Sequence, residues 1–245
     1  MKKVCIITAA RSEYGLLRWT IDSVQQNPNL ELQLVVTGAH LMAEHGYTYK
    51  YIEEDGYPIS AKMDMGLSSD SKEAIVESMG RCSMGFAKTF AELQPDLAVV
   101  LGDRYELLPI CSAALVMNIP IAHISGGDVT IGAIDNEVRN AVTMMSVLHF
   151  PGVEKSAQNI IRMRNSDANV WTVGEPGLDN FRRSVLMTRQ ELAENIGIPM
   201  SNKWILVTLH PETNESLEYN LQMAKNIIAL TDSMTDAPIV ISKAN

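Results

Sequence analysis

The residues of this chain equipped for chemistry cluster just after apolar runs. Arg11 closes Thr8-Ala9-Ala10-Arg11, and Gly38 and His40 lie in Thr37-Gly38-Ala39-His40. Asp103 and Arg104 lie in Gly102-Asp103-Arg104-Tyr105-Glu106, and Ser125 and Asp128 bound Ser125-Gly126-Gly127-Asp128. Asp135 and Arg139 stand four residues apart, so they share a face of any helix they occupy. His210 and Glu212 sit in Thr208-Leu209-His210-Pro211-Glu212. Carboxylates and a histidine can move protons, and arginines can meet an anionic leaving group. Each segment alone is an ordinary polar loop, where glycine often only makes the turn. Asp135 with Arg139 alone reads as an exposed ion pair, and His210 as either a proton handler or a loop residue. His123 and His149 lie inside apolar runs and read as packed. The glycines form neither the dinucleotide fingerprint nor a phosphate loop with its lysine. No His and carboxylate set has metal-site spacing, so the expectation is no metal and no cofactor.

The elements that would position these groups alternate. Val4–Thr8 reads as a buried strand, Arg11–Gln26 as a helix with Leu17, Ile21 and Val24 inward, and Glu31–Thr37 as a second strand. Residues 46–69 carry no sustained period and read as a long insertion. Asp70 and Glu73 have capping-box spacing before Ile75, Met79, Cys82, Phe86, Phe90 and Leu93, a helix that Pro95 closes. Leu97–Leu101, Pro120–Ile124, Val147–Phe150 and Val170–Val173 read as strands. Glu106–Met117 (Cys111 and Leu115 inward), Asp135–Met145 and Glu154–Met163 read as the helices between them. Continuous rather than alternating apolar strands predict a mostly parallel α/β sheet covered on both faces. Ligands of such sheets sit beyond the carboxyl ends of the strands, where the polar segments recur.

Composition shifts at Gly174, Pro176 and Gly177. The pattern predicts a domain over residues 1–180 and a linker with a helix capped by Thr188 and Glu191 over 181–203. Residues 204–245 read as an opening β-α-β segment of a second α/β domain: strand Trp204–Thr208, helix Glu215–Leu230, strand Pro238–Ser242. Its alternative is an extension of the first sheet.

The 245 residues include 20 Lys and Arg against 29 Asp and Glu, a net charge of -9 that disfavours nucleic-acid binding through phosphate neutralisation. An anionic small ligand remains compatible, since a few arginines and helix N-termini hold phosphate locally. The 3 cysteines, Cys5, Cys82 and Cys111, lie apart in apolar patterns and read as reduced core residues of a cytoplasmic protein. The apolar run after MKK is too short for a signal peptide, and no stretch is long enough to span a membrane.

Taken as an ordered set, the motifs resemble those of the hydrolysing UDP-N-acetylglucosamine 2-epimerases, in the branch that feeds sialic and related nonulosonic acids. They are Arg11-Ser12-Glu13-Tyr14-Gly15, Val36-Thr37-Gly38-Ala39-His40, Leu101-Gly102-Asp103-Arg104-Tyr105-Glu106, His123-Ile124-Ser125-Gly126-Gly127-Asp128-Val129-Thr130, Gly132-Ala133-Ile134-Asp135, Val173-Gly174-Glu175-Pro176-Gly177 and Thr208-Leu209-His210-Pro211-Glu212-Thr213. The resemblance implies a glycosyltransferase-B-like fold of two Rossmann-like domains with the active site between them. It implies conversion of UDP-N-acetylglucosamine to UDP and N-acetylmannosamine, by elimination to a 2-acetamidoglucal and then hydration. A UDP 2,4-diacetamido-2,4,6-trideoxyhexose is the alternative substrate, and an inactive nucleotide-sugar-binding fragment or interaction module the non-catalytic alternative. By motif match Asp103 and Asp135 are the carboxylates in place, His210 assists proton transfer or meets the leaving phosphate, and Arg139 faces the substrate's charged part. Arg11 is then the nucleotide-side contact, Gly38 and His40 line the cleft, and Arg104, Ser125, Asp128 and Glu212 complete the binding set. The resemblance also implies a homo-oligomer.

The chain departs from the family's pattern. Ser125 stands where a family carboxylate often falls, with Asp128 close enough in sequence to compensate. Asn140 replaces a histidine, Met144 a lysine, and Ala9-Ala10 a Gly-Thr pair. Family members also continue well beyond the position of Asn245. Weak binding, poor turnover and self-association through an exposed apolar β-α-β unit are the expected consequences.

Overall fold

The computed structural model describes residues 1–69, 71–212, 215–234 and 237–242. The chain forms two compact units, Met1–Arg183 and Ser184–Asn245. In the first unit the strands are β1 (Lys2–Thr8), β2 (Leu30–Thr37), β3 (Ile59–Met63), β4 (Leu97–Leu101), β5 (Ile121–Ile124) and β6 (Leu148–Phe150). Its helices are α1 (Arg11–Gln26), α2 (Tyr49–Glu54), α3 (Lys72–Leu93), α4 (Leu107–Val116), α5 (Asp135–Met145), α6 (Glu154–Arg164) and α7 (Asp179–Arg183). The strands form one six-stranded sheet in the order β3-β2-β1-β4-β5-β6. Every pairing is parallel. This is the doubly wound order, with its reversal between β1 and β4.

Both sheet faces are apolar because helices cover both. On one, Cys5, Ile7, Val35, Ala98 and Val100 pack with Phe86 and Phe90 of α3, Ile110 and Cys111 of α4, and Val138 and Val142 of α5. On the other, Ile6, Leu34, Val36, Val99 and Leu101 pack with Tyr14, Leu17 and Ile21 of α1 and with Ile52 of α2. Alternate residues of one strand thus enter opposite cores, which is why the strand sequences are continuously apolar. The three cysteines are buried and free.

Several elements depart from the expected ones. Residues 46–69, read as a long insertion without sustained period, contain α2 and β3, and β3 adds an edge strand beside β2. The segment Ile59-Ser60-Ala61-Lys62-Met63 is short and partly polar, and its register against β2 shifts between Leu34 and Val35, so it carries little periodic signal. The expected strand Val170–Val173 is only an extended flank: Val170 makes one bridge to His149, and Trp171 stacks on Phe150 at 5.5 Å. Asp70 of the expected capping box lies outside the described residues. Ser71 caps α3, its hydroxyl accepting from the Ala74 N–H at 3.2 Å. Leu115, read as inward on α4, is 52% exposed, and the buried positions around Cys111 are Leu107, Ile110 and Ala114.

The second unit carries α8 (Arg189–Ile196), β7 (Ile205–Thr208), α9 (Leu217–Asp232) and β8 (Ile239–Ser242). Thr188 and Glu191 form the capping box that starts α8. β7 and β8 pair in parallel as their own two-stranded sheet, so they do not extend the first sheet. Among the described residues, no helix is long and apolar enough to cross a membrane.

The turn from β1 into α1 is fixed by Glu13. This buried carboxylate accepts from the Ala9 and Ala10 N–H groups at 2.6 and 3.2 Å, and its Oε1 has no partner among the described residues. Burial pushes the Glu13 carboxyl up to about 7, against the pull of Arg104 and the two backbone N–H groups. An acid whose pKa rises on folding stabilises the fold below its unfolded value, and that contribution is lost as pH rises through the folded value. Urea melts should therefore show wild type losing about 3 kcal/mol relative to Glu13→Gln as pH climbs from the ordinary glutamate range to above 7. Parallel pH profiles for the two proteins would contradict this account. In the core, Phe86 is fully buried. Phe86→Ala should cost about 3–5 kcal/mol in the same melts, whereas Val76→Ala on the exposed face of α3 should stay within about 0.5 kcal/mol.

Candidate active site

The loops after β1, β2, β4, β5 and β6 all emerge at the carboxyl edge of the sheet. Two polar clusters form there. The first ties the loops after β1, β2 and β4. His40 is fully buried, with Nε2 3.0 Å from Thr8 Oγ1 and Nδ1 2.8 Å from Thr48 Oγ1. Burial, with help from the Arg104 charge, holds its imidazole down near 4, so it is neutral at physiological pH. The His40 N–H donates to the Ala9 carbonyl at 3.2 Å. Gly38 has φ +55°, and a side chain there would press on Ala9 and on Glu106 Oε1. Arg104 donates to Glu106 Oε1 at 2.6 Å, and Glu106 is 1% exposed. Burial works to lower the Arg104 pKa, but Glu106 and Glu13 outweigh it and raise it above the ordinary arginine value. Arg11, the first residue of α1, is exposed and lies over the Tyr51 ring at 5.6 Å.

The second cluster centres on Arg139, which α5 carries inward until it is 7% exposed. Its Nη2 pairs with Asp103 Oδ2 in a short ion pair. Its Nη1 donates to the Asp128 carbonyl and to Thr130 Oγ1, both at 3.0 Å. Burial pushes Arg139 below the ordinary arginine value, and the negative charge of Glu175 acts against that shift. Arg139 therefore clamps the loops after β4 and β5. The Asp128 carboxylate accepts from Ser156 of α6. Asp135 opens α5 and is half-buried.

Ser125, directly after β5, has φ +57°, a left-handed conformation uncommon for a non-glycine residue and concentrated at functional sites. Its hydroxyl donates to Glu175 Oε2 at 3.1 Å. His123 and His149 are fully buried, and burial holds both near 4. His123 is bonded to the Gly102 carbonyl at 2.7 Å and Thr143 Oγ1 at 3.1 Å. Both are neutral packing groups, in keeping with their place in apolar runs.

The fold thus brings Asp103, Arg139, Asp128 and Ser125 into one cluster, and Gly38, His40 and Arg104 into its neighbour. His210 and Glu212 are exposed after β7 in the second unit. Sequence reasoning missed Glu13 and Glu106 as the buried carboxylates of the first cluster, although both lie within quoted motifs. It also missed Glu175, whose signal was its place in the turn-rich Gly174-Glu175-Pro176-Gly177 segment.

Comparison with known proteins extends this picture. A family model described as UDP-N-acetylglucosamine 2-epimerase matches residues 22–245. A GDP/UDP-N,N'-diacetylbacillosamine 2-epimerase (hydrolyzing) of Campylobacter jejuni is 32% identical over 244 residues, which is 100% of this chain and 63% of that relative. A UDP-N,N'-diacetylbacillosamine 2-epimerase (hydrolyzing) of Legionella pneumophila is 31% identical, over 94% of this chain and 60% of the relative. The crystal structure of UDP-GlcNAc 2-epimerase from Neisseria meningitidis bound to UDP-GlcNAc superposes with a TM-score of 0.81 at 17% identity, covering 100% of this chain and 66% of that one. The likeness shows a glycosyltransferase-B-like α/β fold, represented here by the full parallel sheet of the first unit and the two-stranded sheet of the second. The chain spans about 63% of the length of the Campylobacter relative. With nearly its whole length matched by that family model, this chain belongs to the UDP-N-acetylglucosamine 2-epimerase family.

Proposed function

We propose that the chain carries the sugar-processing half of a hydrolysing 2-epimerase acting on a UDP-linked 2-acetamido sugar. The observation that supports it most is the buried Arg139 gathering Asp103 and the loop 128–130 at the carboxyl edge of the sheet, with Asp135 one helical turn before it. The hydrogen at C2 of such a sugar is not acidic, since no carbonyl adjoins it. It leaves only as the C1–O bond to UDP breaks and positive charge gathers at C1. A carboxylate accepts that proton while carboxylate charge steadies C1, and cations receive the departing diphosphate.

In this reading Asp135 is one of the groups that exchange a proton with C2. Asp103, held in one orientation by Arg139, steadies the charge at C1. Arg139 is a positioning residue, because its terminal nitrogens are already engaged. The exposed Arg11 at the α1 N-terminus and the partly exposed Arg104 meet the diphosphate. Water then adds to C1 of the glycal, C2 regains a proton on the opposite face, and a free sugar inverted at C2 leaves.

The sugar is a 2,4-diacetamido-2,4,6-trideoxyhexose. The names of the Campylobacter and Legionella relatives favour it. So do Val129, Ile131 and Ile134, exposed apolar side chains flanking Asp128 and Asp135, since a 6-deoxy sugar presents a methyl group where N-acetylglucosamine has a hydroxymethyl. UDP-N-acetylglucosamine is the second reading, supported by the substrate in the Neisseria structure.

Proton NMR in D₂O decides between them. UDP-N,N'-diacetylbacillosamine should yield free UDP and a sugar deuterated at C2, with a kcat/KM at least about tenfold above that for UDP-N-acetylglucosamine. The reverse preference would select the second reading, and release of UDP without deuterium at C2 would sink the epimerase mechanism. Arg139→Met should lower kcat by about 10²–10³-fold and destabilise the fold by roughly 3–5 kcal/mol, by leaving Asp103 without its partner.

A further inference from the structure

Inversion at C2 needs proton traffic on two faces of the sugar ring, and therefore a second proton-carrying group besides Asp135. Asp103 is clamped against Arg139, and the Asp128 carboxylate is held against the buried hydroxyl of Ser156 on α6. The neighbouring histidines His123 and His149 are fully buried. One more carboxylate stands at this edge. Glu175 lies on the segment that runs past β6, outside the loops after β4 and β5, and is exposed.

Three features hold its carboxylate in place. Ser125 donates to Oε2 at 3.1 Å from its left-handed backbone position. Gly152, just after β6, leaves bare backbone where the carboxylate rests, and any side chain at 152 would occupy the space of Glu175 Oε1. Arg139 lies within electrostatic reach and attracts it. Ser125 has no acidic group of its own, but it orients one supplied from 50 residues further along the chain.

We infer that Glu175 is a catalytic carboxylate of this site, exchanging a proton with the substrate at C2, with Ser125 and Gly152 as its positioning residues. The inference rests on the epimerase reading above. In the elimination, the C2–H bond breaks with its proton passing to a carboxylate. The C–H electron pair forms the C1=C2 bond, and the C1–O pair leaves on the β-phosphate oxygen of UDP. In the hydration, the oxygen of water bonds to C1, a water proton passes to a carboxylate, and a carboxylic acid returns a proton to C2 on the other face. Glu175 serves one of the two carbon proton transfers, and Asp135 the other.

The test compares wild type with Glu175→Gln, Glu175→Asp and Ser125→Ala, using UDP-N,N'-diacetylbacillosamine and UDP-N-acetylglucosamine in D₂O. Glu175→Gln should bind the UDP-sugar with a Kd within about threefold of wild type, yet form the inverted sugar about 10²–10⁴-fold more slowly. One limb of its pH–rate profile should vanish. Glu175→Asp should recover part of the rate, and Ser125→Ala should lose about tenfold. Glycal accumulation in Glu175→Gln assigns Glu175 to the hydration, and loss of UDP release assigns it to the elimination. Either result supports the inference. Wild-type turnover with Glu175→Gln within about threefold of it would overturn the role of Glu175 while leaving the epimerase reading intact. A Kd raised as much as the rate falls would overturn it too, by showing a binding contact. If wild type itself releases no UDP from either sugar, both the reading and the role of Glu175 fall together.

Discussion

A guanidinium buried to the depth of Arg139 must be neutralised and hydrogen-bonded, because an arginine keeps its charge even in a protein interior. That requirement orders one side of the site. The partners of Arg139 come from the loop after β4 and from the loop after β5. α5, which delivers the arginine, is itself fixed by Val138 and Val142 in the core. Packing on one face of the sheet thus dictates the position of a charge at its edge, and that charge dictates where Asp103 and residues 128–130 stand.

The other side of the switch point obeys the same logic with the signs exchanged. Glu13 and Glu106 are buried carboxylates, and Arg104 is the cation between them. Their electrostatics join the first turn of α1 to the loop after β4, while the His40 N–H bonds the loop after β2 to Ala9. The groups in the interior of this cluster therefore shape the loops. The exposed Arg11 and the half-exposed side chain of Arg104 are what remain available to a ligand. A single motif such as Gly102-Asp103-Arg104-Tyr105-Glu106 accordingly serves both clusters: Asp103 faces Arg139, while Arg104 and Glu106 face Glu13.

Much of this was legible in the sequence, for physical reasons. Strands buried on both faces have no polar alternation, so β1, β4 and β5 stand out as continuous apolar runs. α1 and α5 begin at the expected residues because their apolar positions recur at three and four. β3 was not legible, since an edge strand with Ser60 and Lys62 lacks both signals and takes its place only by pairing with β2. Leu115 misled because helical spacing tells which residues share a face but not which of two neighbouring faces meets the sheet. Among the site residues, Asp103 and Arg139 are 36 positions apart, and no local pattern states that they pair. Family resemblance named both, and only the fold supplied the contact.

Ser125 shows why a residue-by-residue match understates a site. Taken alone, it replaces an acid with a weak hydroxyl and subtracts chemistry from the loop after β5. In the fold, its left-handed backbone carries that hydroxyl to a carboxylate on another segment, and Gly152 clears the room for it. The negative charge near Arg139 is a property of the space around the guanidinium, which any backbone passing that space can supply. Holding that charge on a glutamate from the segment after β6 has a structural consequence of its own. Gly174 at φ +85° turns the chain immediately before Glu175, and the Leu178 N–H bonds the Glu175 carbonyl at 3.0 Å immediately after it. The carboxylate's position is thus set by the turn that leads out of the first unit, which makes that turn part of the site's geometry as well as a connection.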